Sequence, residues 1–149
     1  MFDCGIGDIF VIRTAGHVIS ESSLASIEYG TEHCKTKLVV VLGHQKCGAV
    51  NAAHDTDDTS GCSKPMAALV QQIKPAVEAG KADGGSRDDI IKRATLEHVK
   101  NTINLIRDKL GDVLEHLKIS IVGGYYNLDT GAVDFYEDMG IFYDWVFGF

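Results

Sequence analysis

Positive charge is scarce in this chain. Fourteen Lys and Arg stand against twenty-one Asp and Glu, for a formal net charge of −7. The basic residues are scattered rather than clustered. Binding a nucleic-acid backbone needs a basic footprint, so nucleic acid is not an expected partner. A local cationic pocket for a small anion stays compatible with these numbers. Long apolar runs are also missing. None approaches the roughly eighteen residues of a membrane span, so no membrane partner is expected. The opening stretch MFDCGIGDIF holds acidic residues and glycines but no basic n-region, which argues against a secretory signal. A cytoplasmic location is the default, one that an upstream targeting segment would override. No internal repeat or low-complexity segment is present.

Cysteine is sparse too: Cys4, Cys34, Cys47 and Cys62. An even count invites a disulfide reading. However, the chain has 149 residues and is 45% hydrophobic, enough for a core without covalent staples. Reduced thiols or metal ligands are the better expectation.

The order of elements reads as α/β, with one domain over residues 1–149. Residues 8–13 form a short apolar run that reads as a buried strand. Ser22 or Ser23 is expected to cap a helix to about His33, with Leu24, Ile27 and Cys34 facing inward. Residues 37–42, with Val39, Val40 and Val41 in a row, read as a strand buried on both faces, as in a parallel sheet. Ala49 to Ala53 looks helical, and His54 to Gly61 reads as a loop. Ser63 caps a helix from about Lys64 to Ala79, with Pro75 expected to kink it. Ser86 and Asp89 resemble a capping box opening a helix through Leu110. Residues 118–126 form a further strand. The turn Asn127–Gly131 then returns Ala132–Tyr136 antiparallel. The expected fold is a mostly parallel sheet flanked by helices with a C-terminal antiparallel strand. In such sheets a site lies beyond the carboxyl ends of the strands.

One motif sits there: Gly43-His44-x-x-Cys47-Gly48. One turn of chain can aim an imidazole and a thiolate at a single point, and both are typical zinc ligands. A helix N-terminus favours the thiolate. Gly43 and Gly48 allow close backbone approach. A His-x-x-Cys pair alone also arises by chance, and a catalytic zinc keeps three protein ligands.

Four segments, in order, resemble the β-class carbonic anhydrase family. Gly7-Asp8-Ile9-Phe10-Val11-Ile12-Arg13-Thr14-Ala15-Gly16 is similar to its G-D-L-F-V-x-R-N-A-G strand. Ser26-Ile27-Glu28-Tyr29 is similar to its S-L-E-Y helix. Val39 to Val50 resembles its zinc-binding strand-turn-helix. Tyr125 to Gly131 resembles its late G-x-x-Y-D-x-x-T-G hairpin. The resemblance implies a zinc lyase that interconverts carbon dioxide and bicarbonate, with Zn2+ held by two cysteines and one histidine. His44 and Cys47 match two of those ligands. It also implies a homodimer or larger assembly, and the aromatic-rich segment Ile141–Phe149 agrees with burial at an interface.

The sequence departs from the family at its start. The family's first zinc cysteine lies in a C-x-D-x-R motif on an earlier, central strand, and its Asp and Arg position the reacting water. No C-x-D-x-R occurs here, and only Met1–Ile6 precede Gly7. The chain therefore reads as N-terminally truncated relative to the family, with no Asp–Arg pair found. Cys4 is a poor substitute, because the expected strand would hold it about 20 Å from the site end of the sheet. His17 is better placed, where the family usually has Asn. It reads first as a loop histidine with a hydrogen-bonding role and second as a substitute ligand. Cys62 is a weak candidate, and Cys34 reads as a small core residue. His33, His54, His98 and His116 read as surface residues, and Asp55, Asp57 and Asp58 as a solvated loop. Arg13 is expected to serve the strand end or an interface, with bicarbonate binding a weaker option. Two other functions stay open: a catalytically impaired paralogue acting as a binding or assembly module, and a zinc hydrolase for carbonyl sulfide or carbon disulfide.

Overall fold

The longest helix starts at a reciprocal cap. In a computed structural model that describes residues 2–136, the Ser86 hydroxyl accepts the Asp89 N–H, and the Asp89 carboxylate accepts the Ser86 N–H. That box opens α4, Arg87–Leu117. Before it come α1 (Glu21–Glu32), β1 (Leu38–His44), α2 (Gly48–Asp55) and α3 (Lys64–Lys81). After it come β2 (Ser120–Tyr126) and β3 (Val133–Tyr136). Ser63 caps α3 as expected, and the helix runs on through Pro75. The cap of α1 is Ser20, two or three residues before the expected Ser22 or Ser23, with its hydroxyl accepting from Ser23 N–H.

The sheet has the order β1-β2-β3. β1 and β2 run parallel, in register from Leu38 opposite Ser120 to His44 opposite Tyr126. β3 returns antiparallel on β2, with Tyr126 opposite Val133. The fold is α/β, as expected, with the antiparallel strand at the C-terminal end. Parallel pairing puts the carboxyl ends of β1 and β2 side by side. The turn after His44 and the hairpin after Tyr126 therefore share one edge.

α4 is the spine of the core. Its first half sets Ile91 and Ala94 against Val50, Ala53, Val70, Ile73 and Val77 of α2 and α3. Further along, it sets Val99, Ile103 and Ile106 against Val41 of β1 and Leu24 and Ile27 of α1. Apolar burial on this scale is the main driving force for the assembly.

Three expectations need correction. Residues 8–13 form no strand. Ile9, Phe10, Val11 and Ile12 are 45%, 41%, 65% and 37% exposed. Their side chains suit a strand, but strand hydrogen bonds come from a neighbour, and among the described residues the sheet ends at β1. Phe10 instead lies on α1, beside Gly30 and the Tyr29 ring. Second, β1 is only partly buried, because as an edge strand it is not covered on every side. Third, Cys34 is exposed, since α1 stops before reaching it. The segment Ile141–Phe149 lies outside the described residues.

Candidate metal centre

β1 delivers His44 as its last residue, and Cys47 is the N-cap of α2. Between them Lys46 takes a left-handed conformation, φ +56°, which turns the chain sharply. Cys47 is 2% exposed. Its carbonyl accepts from the Asn51 backbone N–H at 3.0 Å and from Asn51 Nδ2 at 2.8 Å, tying the thiol-bearing residue to the first turn of α2. His44 and Cys47 both line an open cavity of about 410 Å³, with Arg13, Thr14, Ala15, Gly16, Gly48 and Ala49.

The donor chemistry suits a metal. His44 Nδ1 lies 2.9 Å from the Gln45 carbonyl. A carbonyl only accepts, so Nδ1 carries the proton, which leaves Nε2 as the nitrogen available to a metal. Backbone fixation of the distal nitrogen is how metal-binding histidines are oriented. His44 and Cys47 thus offer, on one cavity, two donor types that zinc takes. Among the described residues, no three His, Cys, Asp or Glu side chains converge to complete the set.

Among the described residues His17 forms no three-donor cluster with His44 and Cys47. Its ring stacks on His98 with centroids 4.4 Å apart. Its Cε1 lies 3.7 Å from where a Cβ on Gly43 would sit. Burial first, then the adjacent His98 and His44 rings, holds its pKa down to about 3. His98 is the reverse of the expected surface residue: it is 4% exposed, and burial lowers its pKa as well. Its Nε2–H donates to the Gly16 carbonyl at 2.9 Å, so α4 holds the loop that walls the cavity. The spacing of α4 carried a signal for this. His98 falls in the buried series Ile91, Ala94, Thr95, Val99, Thr102 and Ile103.

Gly43 also has a different role from close approach to a ligand. A Cβ there would lie 2.8 Å from Thr95 Cγ2 and 2.9 Å from Val99 Cγ2, so its hydrogen admits α4 against β1. Gly48 does line the cavity. All four cysteines are free; Cys4 is exposed, with its thiol donating to the Phe2 carbonyl at 3.1 Å. Cys62 is half-buried. His33 and His116 are exposed, whereas His54 is partly buried against Asp55. The acidic loop is more than solvated: Asp55 pairs with Arg87 at 2.7 Å, and Asp57 with Lys74 at 3.1 Å. Arg13, exposed at the cavity wall, puts a cation beside the two donors.

Known proteins share this arrangement of chain. The carbonic anhydrase family model matches residues 1–133. Carbonic anhydrase 2 of Mycobacterium tuberculosis is 38% identical over 144 residues, covering 94% of this chain and 68% of that protein. The β-carbonic anhydrase CafA of Aspergillus fumigatus superposes with a TM-score of 0.75 at 26% identity, covering 88% of this chain and 64% of that one. One of two tetrameric β-carbonic anhydrases of Sordaria macrospora gives a TM-score of 0.77 at 19% identity, covering 88% and 69%. The last likeness is one of fold alone.

Proposed function

Because this chain belongs to the β-class carbonic anhydrase family, we propose that His44 and Cys47 hold zinc and that the chain serves the reversible hydration of carbon dioxide to bicarbonate. The observation that carries this reading is the pair of donors on one cavity, with the His44 lone pair turned to Nε2 by the Gln45 carbonyl. Zinc supplies Lewis acidity that makes water acidic enough to act as a nucleophile near neutral pH. The chain's own residues bind and shape. Arg13 offers positive charge to an anionic product at the cavity wall. The small side chains of Ala15 and Ala49 leave room for a compact substrate. Thr14 Oγ1 donates to the Val18 carbonyl at 2.9 Å, which steadies the same loop.

The third donor belongs to this proposal as a contribution from outside the described residues, from the polypeptide or a partner subunit. Association into a homodimer or larger assembly is part of it, supported by the tetrameric relatives. So is a cytoplasmic location, supported by the free thiols. No helix among the described residues is long and apolar enough to cross a membrane. The test is bound zinc by atomic absorption after dialysis, paired with stopped-flow carbon dioxide hydration. The wild-type chain is expected to retain zinc, and His44→Ala and Cys47→Ser each to lose it. Failure of the wild type to take up zinc, or its retention by both variants, would falsify the reading.

A further inference from the structure

Gln45 stands between the two donors, yet it does not line the cavity. Every polar group it has is engaged. Its backbone N–H donates to the Tyr126 carbonyl at 2.9 Å. Its side-chain Oε1 accepts from the backbone N–H groups of Leu128 at 3.0 Å and Asp129 at 3.3 Å. Its Nε2 donates to Asp129 Oδ2 at 2.8 Å. Two N–H donors and one carboxylate leave only one consistent orientation of the amide. Its carbonyl accepts from His44 Nδ1–H. The hairpin it grips is itself rigid, because Asn127 Oδ1 accepts from Asp129 N–H at 2.9 Å and Thr130 N–H at 3.1 Å.

We propose that Gln45 is a positioning residue that couples the β2–β3 hairpin to His44, fixing the ring in its Nδ1–H tautomer with Nε2 presented to the metal. The coupling rests on the reading of His44 as a zinc ligand. The path is short: hairpin tip to Gln45 amide, amide to Gln45 carbonyl, carbonyl to imidazole. Lys46 strengthens the grip on the same carboxylate, with Nζ 3.6 Å from Asp129 Oδ1. Disturbing the hairpin releases the carbonyl and lets the ring choose its tautomer freely.

The experiment reads the tautomer of His44 in the full chain, free of metal, by long-range 1H–15N correlation. Co2+ titration of the same samples follows, read by the thiolate charge-transfer band. The wild type is expected in the Nδ1–H form. Gln45→Ala keeps the carbonyl but removes its tether, and is expected to shift His44 toward Nε2–H and to weaken Co2+ binding, by up to the roughly 10- to 100-fold that losing an outer-shell partner outright costs. The double variant Gln45→Glu with Asp129→Asn reverses donor and acceptor and is expected to restore both readouts. Should Gln45→Ala fail to fold, Asp129→Ala carries the same expectation in weaker form. An unchanged tautomer with unchanged Co2+ affinity in the folded variant overturns the proposal. A tautomer that responds to Gln45 while no cobalt binds supports the coupling and overturns the zinc reading instead.

Discussion

Acidifying the metal-free protein should destabilise it before its carboxylates protonate, and the reason is the packed His17–His98 pair. His17 is held neutral, with its pKa lowered from 6.5 to about 3, chiefly by burial and then by its histidine neighbours. His98 shifts in the same direction, mainly by burial. The unfolded chain therefore binds more protons than the folded one once pH falls below about 6.5. Stability is complete above that value and drops by about 1.4 kcal/mol for each pH unit below it, continuing until roughly pH 3 for His17 alone. Between pH 6.5 and 4.5 the His17 contribution is roughly 2–3 kcal/mol, and His98 adds to it with the same sign. That is a large share of a typical 5–15 kcal/mol total. The carboxylates with lowered pKa values, Asp55 and Asp129 among them, lose their contributions only at lower pH. The window from 6.5 to 4.5 therefore isolates the histidines. The assay is urea unfolding followed by circular dichroism at half-unit pH steps, with chelator present. His17→Asn should flatten the slope by about one proton's worth. A wild-type stability constant to within about 0.5 kcal/mol from pH 7.5 to 5 would refute the argument.

Two further outcomes follow from packing and capping. Gly43→Ala should destabilise by about 1–3 kcal/mol in urea, because its Cβ meets Thr95 and Val99 below 3.0 Å. Val99→Ala in the same chain should recover part of that loss, and strict additivity of the two changes would contradict the steric account. Ser86→Ala removes the hydroxyl of the α4 capping box and should cost about 1 kcal/mol, read as a lower urea midpoint at unchanged slope.

Much of the fold was legible because helices carry their own hydrogen bonds. Ser63 and the Ser86–Asp89 box marked the starts of α3 and α4 through local donors and acceptors alone. The β2–β3 return was legible from its turn residues, whose side chains bond within the turn, as Asn127 does. The run at residues 8–13 misled for the opposite reason. Its apolar pattern describes a strand's side chains, but the pairing that makes a strand lies elsewhere. His98 was readable from its place in the buried series of α4, though a polar side chain argued against burial. Gln45 carried no signal, because its partners lie 83 and 84 residues away.

The sequence by itself determined the donor types, their spacing and the family, because His44, Cys47 and the four matching segments are local facts of order. Tertiary structure alone decided how those donors are held. Parallel pairing of β1 with β2 brings the hairpin to Gln45, and Gln45 turns His44. Packing of α4 against β1 buries His98 beneath the cavity loop and sets the His17 ring against it. The physical reason is common to all three. Apart from the bond between His44 and its neighbour Gln45, the hydrogen bonds and burial at this site are made between segments distant in the chain, and composition and periodicity report only on neighbours.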